Sequence, residues 1–375
     1  MRRRTSQRLG ASLSVTGSRW VPNTPHLTLS GREGGNVIRK IAMRTGPSVL
    51  LAAVSVAAMS LSASCGSSPA SPPAAATPDQ PLLLEQREIN VAGEVRSYWI
   101  SGFESPRTKP QAVLFVLHGG STADGRVTLR FGFQDTAMRE GFVTVHPNGR
   151  GEGWNDGRGT DFLIQRGDGA DDIAFFRTMI DHLVDEGIAD PARIYVTGGS
   201  NGGMMTLRLA CELSDRLAGV ASFSASLPKP LIESCRPVRA LPVLLIAGDA
   251  DQLMPFNGGP VAAMSGDDRG EVIGAPRTFS YWASRNGCRD DSFQRMEWPD
   301  RVPDDGTRVK LDAGVDCAAP VQLMTVVGGG HRLPGESELI ASDPRRARLS
   351  GISSQEVSGA DYIWAFLKEN ALTPQ

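Results

Sequence analysis

Residues Ala192-Arg-Ile-Tyr-Val-Thr-Gly-Gly-Ser-Asn-Gly-Gly-Met-Met205 decide the fold. The run Ile194, Tyr195, Val196, Thr197 is β-branched and aromatic, which predicts a short buried strand. It meets Gly198-Gly199-Ser200-Asn201-Gly202, after which Met205, Leu209 and Leu213 recur at helical spacing. A chain that turns this sharply from strand to helix brings backbone into close approach, so a Cβ at Gly198 or Gly202 would obstruct it. The spacing G-x-S-x-G between strand and helix is that of a nucleophile elbow. Such a turn holds the serine in a strained conformation with its hydroxyl above the sheet. The helix then sets the positive end of its dipole beneath any oxyanion formed there. The competing reading is a glycine-rich turn with an idle serine, since a 375-residue chain with 42 glycines can produce the five-residue pattern by chance. The strand before it and the helix after it favour the catalytic reading.

On the N-terminal side, Glu85 to Ile100 predicts a hairpin turning at Ala92-Gly93. Ala112-Val-Leu-Phe-Val-Leu117 predicts a strand buried on both faces, ending in His118-Gly119-Gly120-Ser121. A helix is expected from Thr128 to Glu140 and a strand from Phe142 to Val145. A surface loop is expected over 149–168, containing Trp154-Asn155-Asp156, and a helix from Asp171 to Glu186. On the C-terminal side, Val220–Phe223 and Pro242–Ala247 predict strands, the second ending in Gly248-Asp249-Ala250-Asp251. A helix follows over 276–287. The polar stretch from Asp290 to Gly314 carries no usable pattern. Val321–Val327 predicts a last strand, followed by Gly328-Gly329-Gly330-His331, and Ala360–Asn370 a closing helix. Strands alternating with helices indicate an α/β fold with a mostly parallel sheet, here one domain over residues 82–375 without internal repeats.

Three groups stand just past predicted strand ends in the order Ser200, Asp251, His331, which is the order of α/β-hydrolase triads. A serine hydroxyl attacks only if a base takes its proton. Neutral histidine does this near neutrality, and a carboxylate fixes its tautomer and stabilises the imidazolium. Of the five histidines, His26 lies in the leader, His182 on a helix, and His146 reads as a structural residue after a strand. His331 follows three glycines that let a loop fold over the serine, and is the expected base. Asp251 is preferred to Asp249 as the acid because it lies further past the strand end, which leaves Asp249 as a loop cap. His118-Gly-Gly belongs to the oxyanion side: the expected donors are the N–H of Asn201 and that of Gly120 or Ser121, with His118 itself structural. Trp154 is a candidate for the wall of the substrate pocket or, equally, an aromatic anchor for its loop. The mechanism predicts activity that rises through a histidine titration at about pH 6 to 7.

Residues 1–65 carry nine Lys/Arg against Glu33 alone, a net of +8, and the remainder carries 30 basic against 40 acidic residues, a net of −10. An acidic body argues against nucleic-acid binding. Residues 1–42 are expected to be a leader or a misassigned start. Residues 43–65 read as a signal peptide, with Arg44 before the short apolar run Val49–Leu61 and small residues before Cys65. Cys65 is the expected lipid-attachment point of an envelope lipoprotein, with plain cleavage and secretion as the alternative. Residues 66–81, rich in Ser, Pro and Ala, read as a tether. Cys211, Cys235, Cys288 and Cys317 remain, an even number that favours two disulfides in an exported chain over buried free thiols. Of the three possible pairings, proximity favours Cys211–Cys235 and Cys288–Cys317. None has the spacing of a metal site.

Val113–Gly120, Gly141–Gly149, Asp171–Phe176, Arg193–Leu213, Cys235-Arg-Pro237, Gly248–Asp251, Trp282–Cys288 and Gly329–His331 together resemble the polyhydroxybutyrate depolymerase and feruloyl esterase family of secreted α/β-hydrolases. The resemblance spans residues 85–370. It implies Ser200 as nucleophile, Asp251 as acid, His331 as base, the two disulfides above, and no metal or organic cofactor. Two departures stand out: Ala247-Gly248 where many relatives have His-Gly, and Gly199 where a larger residue usually precedes the serine. The chain ends soon after its hydrolase elements, so small or oligomeric esters are the expected substrates rather than crystalline polyester. An envelope acyltransferase using a sugar or lipid hydroxyl, and a non-catalytic glycan- or lipid-binding lipoprotein, are the other readings.

Overall fold

The computed structural model describes residues 83–102, 109–159, 170–262, 268–289, 292–336 and 348–372. The expected leader, signal peptide, Cys65 and tether lie outside the described residues. The hairpin forms as expected from β1 (Leu83–Val91) and β2 (Glu94–Gly102), paired antiparallel around Ala92-Gly93. Six strands then run parallel in the centre: β3 (Gln111–Leu117), β4 (Val143–Pro147), β5 (Ala189–Gly199), β6 (Gly219–Phe223), β7 (Val243–Gly248) and β12 (Val321–Val327). β4, β6 and β7 are buried at every residue, the signature of strands covered on both faces.

Alternation along those strands creates two cores. Val113, Phe115 and Leu117 of β3 pack with Val196 and Leu245 against helices α2 (Asp172–Asp185), α3 (Asn201–Glu212) and α4 (Ala275–Arg285). Ala112, Leu114 and Val116 point the other way, with Tyr195 and Ile246, onto α1 (Phe133–Glu140) and α5 (Gly359–Lys368). The ten-stranded sheet has the order β1-β2-β4-β3-β5-β6-β7-β12-β11-β10, where β10 is Phe293–Glu297 and β11 is Arg308–Gly314. The helix after β3 covers one face and the helix after β5, its neighbour, covers the other. The winding therefore reverses between β3 and β5, and a crevice opens at their carboxyl ends.

Two expectations change. The single helix over Thr128–Glu140 is broken at Gly132, whose φ of 80° ends a 3-10 segment, Gly125–Phe131, before α1 begins. The unpatterned stretch after Asp290 holds β10 (Phe293–Glu297) and β11 (Arg308–Gly314), antiparallel strands that extend the sheet beyond β12. All five residues of β10 are exposed, so no apolar alternation betrays it. β8 (Gly259–Pro260) and β9 (Glu271–Val272) form a minimal separate ribbon. The cysteines pair as proximity suggested: Cys211 with Cys235, and Cys288 with Cys317.

Candidate active site

Ser200 sits between β5 and α3 with φ 57° and ψ −122°, a strained conformation for a residue with a side chain. The turn is held by its neighbours' lack of side chains. A Cβ on Gly198 would stand 2.6 Å from the Gly202 carbonyl oxygen, and one on Gly202 would stand 2.4 Å from that of His118. The Ser200 N–H donates to the Phe223 carbonyl at 3.1 Å, which ties the elbow to the next strand. The Phe223 ring also accounts for Gly199: a Cβ there would lie 2.3 Å from the ring edge. In this chain a buried phenylalanine on β6 fills the space beside Gly199.

Across the crevice, the 118–121 segment leaves β3 and packs against the elbow. A Cβ on Gly119 would touch Ser200 Cβ at 3.3 Å, and one on Gly120 would lie 3.8 Å from Asn201 Cβ. Asn201 opens α3, where N–H groups have no acceptor within the helix. The N–H of Gly120 has no hydrogen-bond partner among the described residues. Ser121 must be withdrawn from the expected donor set, because its N–H is committed to the Glu152 carbonyl at 2.8 Å. His118 is buried, its Nδ1 2.8 Å from the Gly119 carbonyl oxygen while its Nε2 accepts the Gly149 N–H at 3.0 Å. Only the neutral ring satisfies both contacts, and burial lowers its pKa to about 4. His146 is likewise structural, surrounded by Thr128, Gln134 and Thr144, and burial lowers it to about 3.

Parallel pairing of β7 with β12 sets Gly248 beside Val326, so the loops that follow run side by side. Backbone contact is tight here too: a Cβ on Gly248 would lie 2.3 Å from the Gly329 carbonyl oxygen, and one on Gly330 would lie 2.2 Å from that of Ser350. Asp251 Oδ2 meets His331 Nδ1 at 2.7 Å, and its Oδ1 accepts the N–H groups of Leu253 and Met254, each at 2.8 Å. Asp249 instead accepts the Gly328 N–H at 2.7 Å, capping the glycine turn. Of the two aspartates, Asp251 is therefore the one paired with the histidine.

The expectation of a substrate-facing Trp154 is corrected. Its side chain is 2 % exposed, donates from Nε1 to the His118 carbonyl at 2.9 Å, and packs on the rings of His118 and Phe176. It anchors its loop. Within the described part of that loop, Arg150, Gly151, Glu152, Asn155 and Gly159 are exposed as expected, but Asp156 and Arg158 are buried as an ion pair beside Asn201; residues 160–168 lie outside the described residues. Sequence reasoning missed both, since a charged pair four residues beyond a turn reads as solvated until its burial is known. A second omission is Glu336, a buried carboxylate five residues past His331 that faces Arg130 at 3.2 Å. Burial raises its pKa, against the pull of Arg130 and Arg332.

A serine on a strained strand-to-helix turn and a histidine–carboxylate pair at the same end of a parallel sheet define a serine hydrolase of the α/β-hydrolase fold. The prolyl oligopeptidase family model matches residues 130–226, which contain the elbow. A putative esterase, NocK, of Nocardia uniformis subsp. tsuyamanensis is 31% identical over 342 residues, 84% of this chain and 96% of that one. Feruloyl esterase B of Piromyces equi is 29% identical over 237 residues, 62% of this chain and 41% of that enzyme. Feruloyl esterase C of Emericella nidulans is 26% identical over 243 residues, 63% of this chain and 76% of that enzyme. The chain belongs to the esterase family of that NocK relative, within the α/β-hydrolases, and it is a serine esterase.

Proposed function

We propose that the protein is an exported esterase that cleaves small or oligomeric carboxylic esters, of the hydroxyalkanoate, feruloyl or acetyl kind, through a covalent acyl-enzyme. Ser200 is the nucleophile, His331 the base and Asp251 the acid that orients it. The observation that carries this reading is the 2.7 Å contact between Asp251 Oδ2 and His331 Nδ1, at the same end of the parallel sheet as the Ser200 elbow. Nδ1–H donating to the carboxylate leaves the lone pair on Nε2 to take the serine proton. As Ser200 Oγ bonds to the ester carbon, the carbonyl oxygen becomes an oxyanion between the N–H groups of Asn201 and Gly120. Its collapse breaks the bond to the alcohol oxygen, which leaves with the proton from His331. Water then gives a proton to the same histidine as it attacks the acyl carbon, and collapse of this second intermediate breaks the bond to Ser200 Oγ, which takes the proton back from His331 as the acid leaves. The names of the relatives support feruloyl esters, and the two disulfides suit an oxidising compartment outside the cytoplasm. A lipid anchor at Cys65 belongs to the same proposal.

The test is turnover of p-nitrophenyl esters of increasing acyl length, methyl ferulate and a hydroxybutyrate oligomer by the full chain made under oxidising conditions. Ser200→Ala is expected to lower kcat by about 10⁴-fold or more. Wild-type rates no faster than those of Ser200→Ala on every ester would sink the hydrolase reading.

A further inference from the structure

The loop that crosses above the elbow is bound to it more thoroughly than a connecting segment requires. Asn201 uses its whole side-chain amide on this loop: Oδ1 accepts the Trp154 N–H at 2.7 Å, and Nδ2 donates to the Trp154 carbonyl at 3.1 Å and to Asp156 Oδ2. Asp156 has no exposed surface and takes a bidentate guanidinium from Arg158, which in turn donates to the Arg269 carbonyl at 2.7 Å. From the other side of the loop, Trp154 holds the carbonyl of His118 and Gly149 holds its ring, while the Glu152 carbonyl holds the Ser121 N–H. Outside this core, Asn155 gives its N–H to the buried Asp172 at 2.8 Å, and its carbonyl accepts from Arg208 at 2.6 Å. The two backbone segments that carry the proposed oxyanion donors come from different strands, and this loop hydrogen-bonds to both.

We infer that Asp156 is a positioning residue for the oxyanion site, acting through Asn201 and Trp154 to hold the N–H groups of Asn201 and Gly120 at a fixed separation. The inference rests on the esterase reading above. Its physical basis is preorganisation: donors stabilise developing charge well only if they need not move when it appears. A buried aspartate bound to both an amide and an arginine fork has one geometry, so it transmits one geometry to Asn201. A purely structural Asp156 would affect how much enzyme folds but not how well each folded site stabilises the transition state.

The experiment compares wild type with Asp156→Asn and Trp154→Phe as full, disulfide-bonded chains, counting active serines by fluorophosphonate titration. Per active site, Asp156→Asn is expected to lower kcat on p-nitrophenyl acetate roughly 10²-fold with KM changed by less than about threefold. Affinity for an arylboronic acid, which mimics the tetrahedral oxyanion, should fall in parallel. The acid limb of the pH profile should stay in place, because the histidine side is untouched. Trp154→Phe, which loses only the bond to His118, should show the same pattern more weakly. If Asp156→Asn fails to fold, the double variant Asp156→Asn with Arg158→Gln carries the test, since it leaves no lone buried charge. Unchanged kcat per active site, boronate affinity unmoved by a loss of kcat, or failure of both Asp156 variants to fold would overturn the proposal. Turnover surviving in Ser200→Ala would instead remove the esterase reading beneath it, a result that the Asp156 variants alone do not produce.

Discussion

The two halves of the site aim their reactive groups by different means. On the nucleophile side the backbone does the aiming: Ser200 is held at φ 57° by glycines whose replacement would drive Cβ atoms into carbonyl oxygens. On the acid–base side the side chains do it. Asp251 is locked by two backbone N–H groups and points its remaining oxygen at His331, a partner 80 residues away in sequence. Both loops contain glycines in tight contact, but only in the elbow is the reactive residue itself strained. Backbone strain makes the first half sensitive to added volume, and hydrogen bonding makes the second sensitive to lost charge.

The largest expected effect that separates the halves is that of Asp251→Asn. The amide retains an acceptor for Leu253 and Met254 but turns an N–H₂ toward His331, which forces the wrong tautomer. A kcat loss of about 10³- to 10⁴-fold with little change in Tm is expected. Asp249→Asn, which still accepts from Gly328, should cost less than about tenfold by the same comparison. Equal losses from the two would break the assignment of the acid. Next in size is Gly202→Ala, which asks the His118 carbonyl to yield where backbone on both sides is fixed. It should destabilise the fold by about 3 kcal/mol or more, read by denaturant titration, and carry activity down with it. A stable Gly202→Ala enzyme would show that the elbow tolerates volume and that the contrast between halves is false.

The smallest effect lies in pH. His118 and His146 are kept neutral in the fold by burial, whereas in the unfolded chain they protonate below about pH 6.5. Their stabilisation is complete above that pH and is lost as the pH falls toward about 4 for His118 and about 3 for His146. At about pH 5.5 each should already have lost roughly 1 kcal/mol. His146→Gln should flatten the dependence of stability on pH in this window while leaving the acid limb of activity in place. An unchanged slope would assign the acid sensitivity to other groups.

Legibility followed locality. The elbow was readable because its causes lie in one continuous stretch, Ile194 to Leu213: a β-branched strand, glycines where backbones meet, and a helical stripe. The hairpin at Ala92-Gly93 and the buried parallel strands were readable for the same reason, and the cysteine pairs because partners 24 and 29 residues apart are neighbours in order among the four cysteines. The break at Gly132 was missed because an isolated glycine in a helical pattern is often tolerated, and only the positive φ marks it as a stop. Strand β10 was missed because an edge strand with both faces wet has no alternation to read.

By itself, the sequence determined the strand-to-helix turn around Ser200, the alternating α/β layout and the candidate groups at strand ends. Each follows from short-range sterics and the period of apolar residues. Only the tertiary structure decided that Asp251 and not Asp249 meets His331, that Ser121 is already bonded, and that Trp154, Asp156 and Arg158 are buried beside Asn201. These outcomes depend on which loops the sheet order brings together, and a charge or an N–H declares its role only when its partner, distant in the chain, is in place.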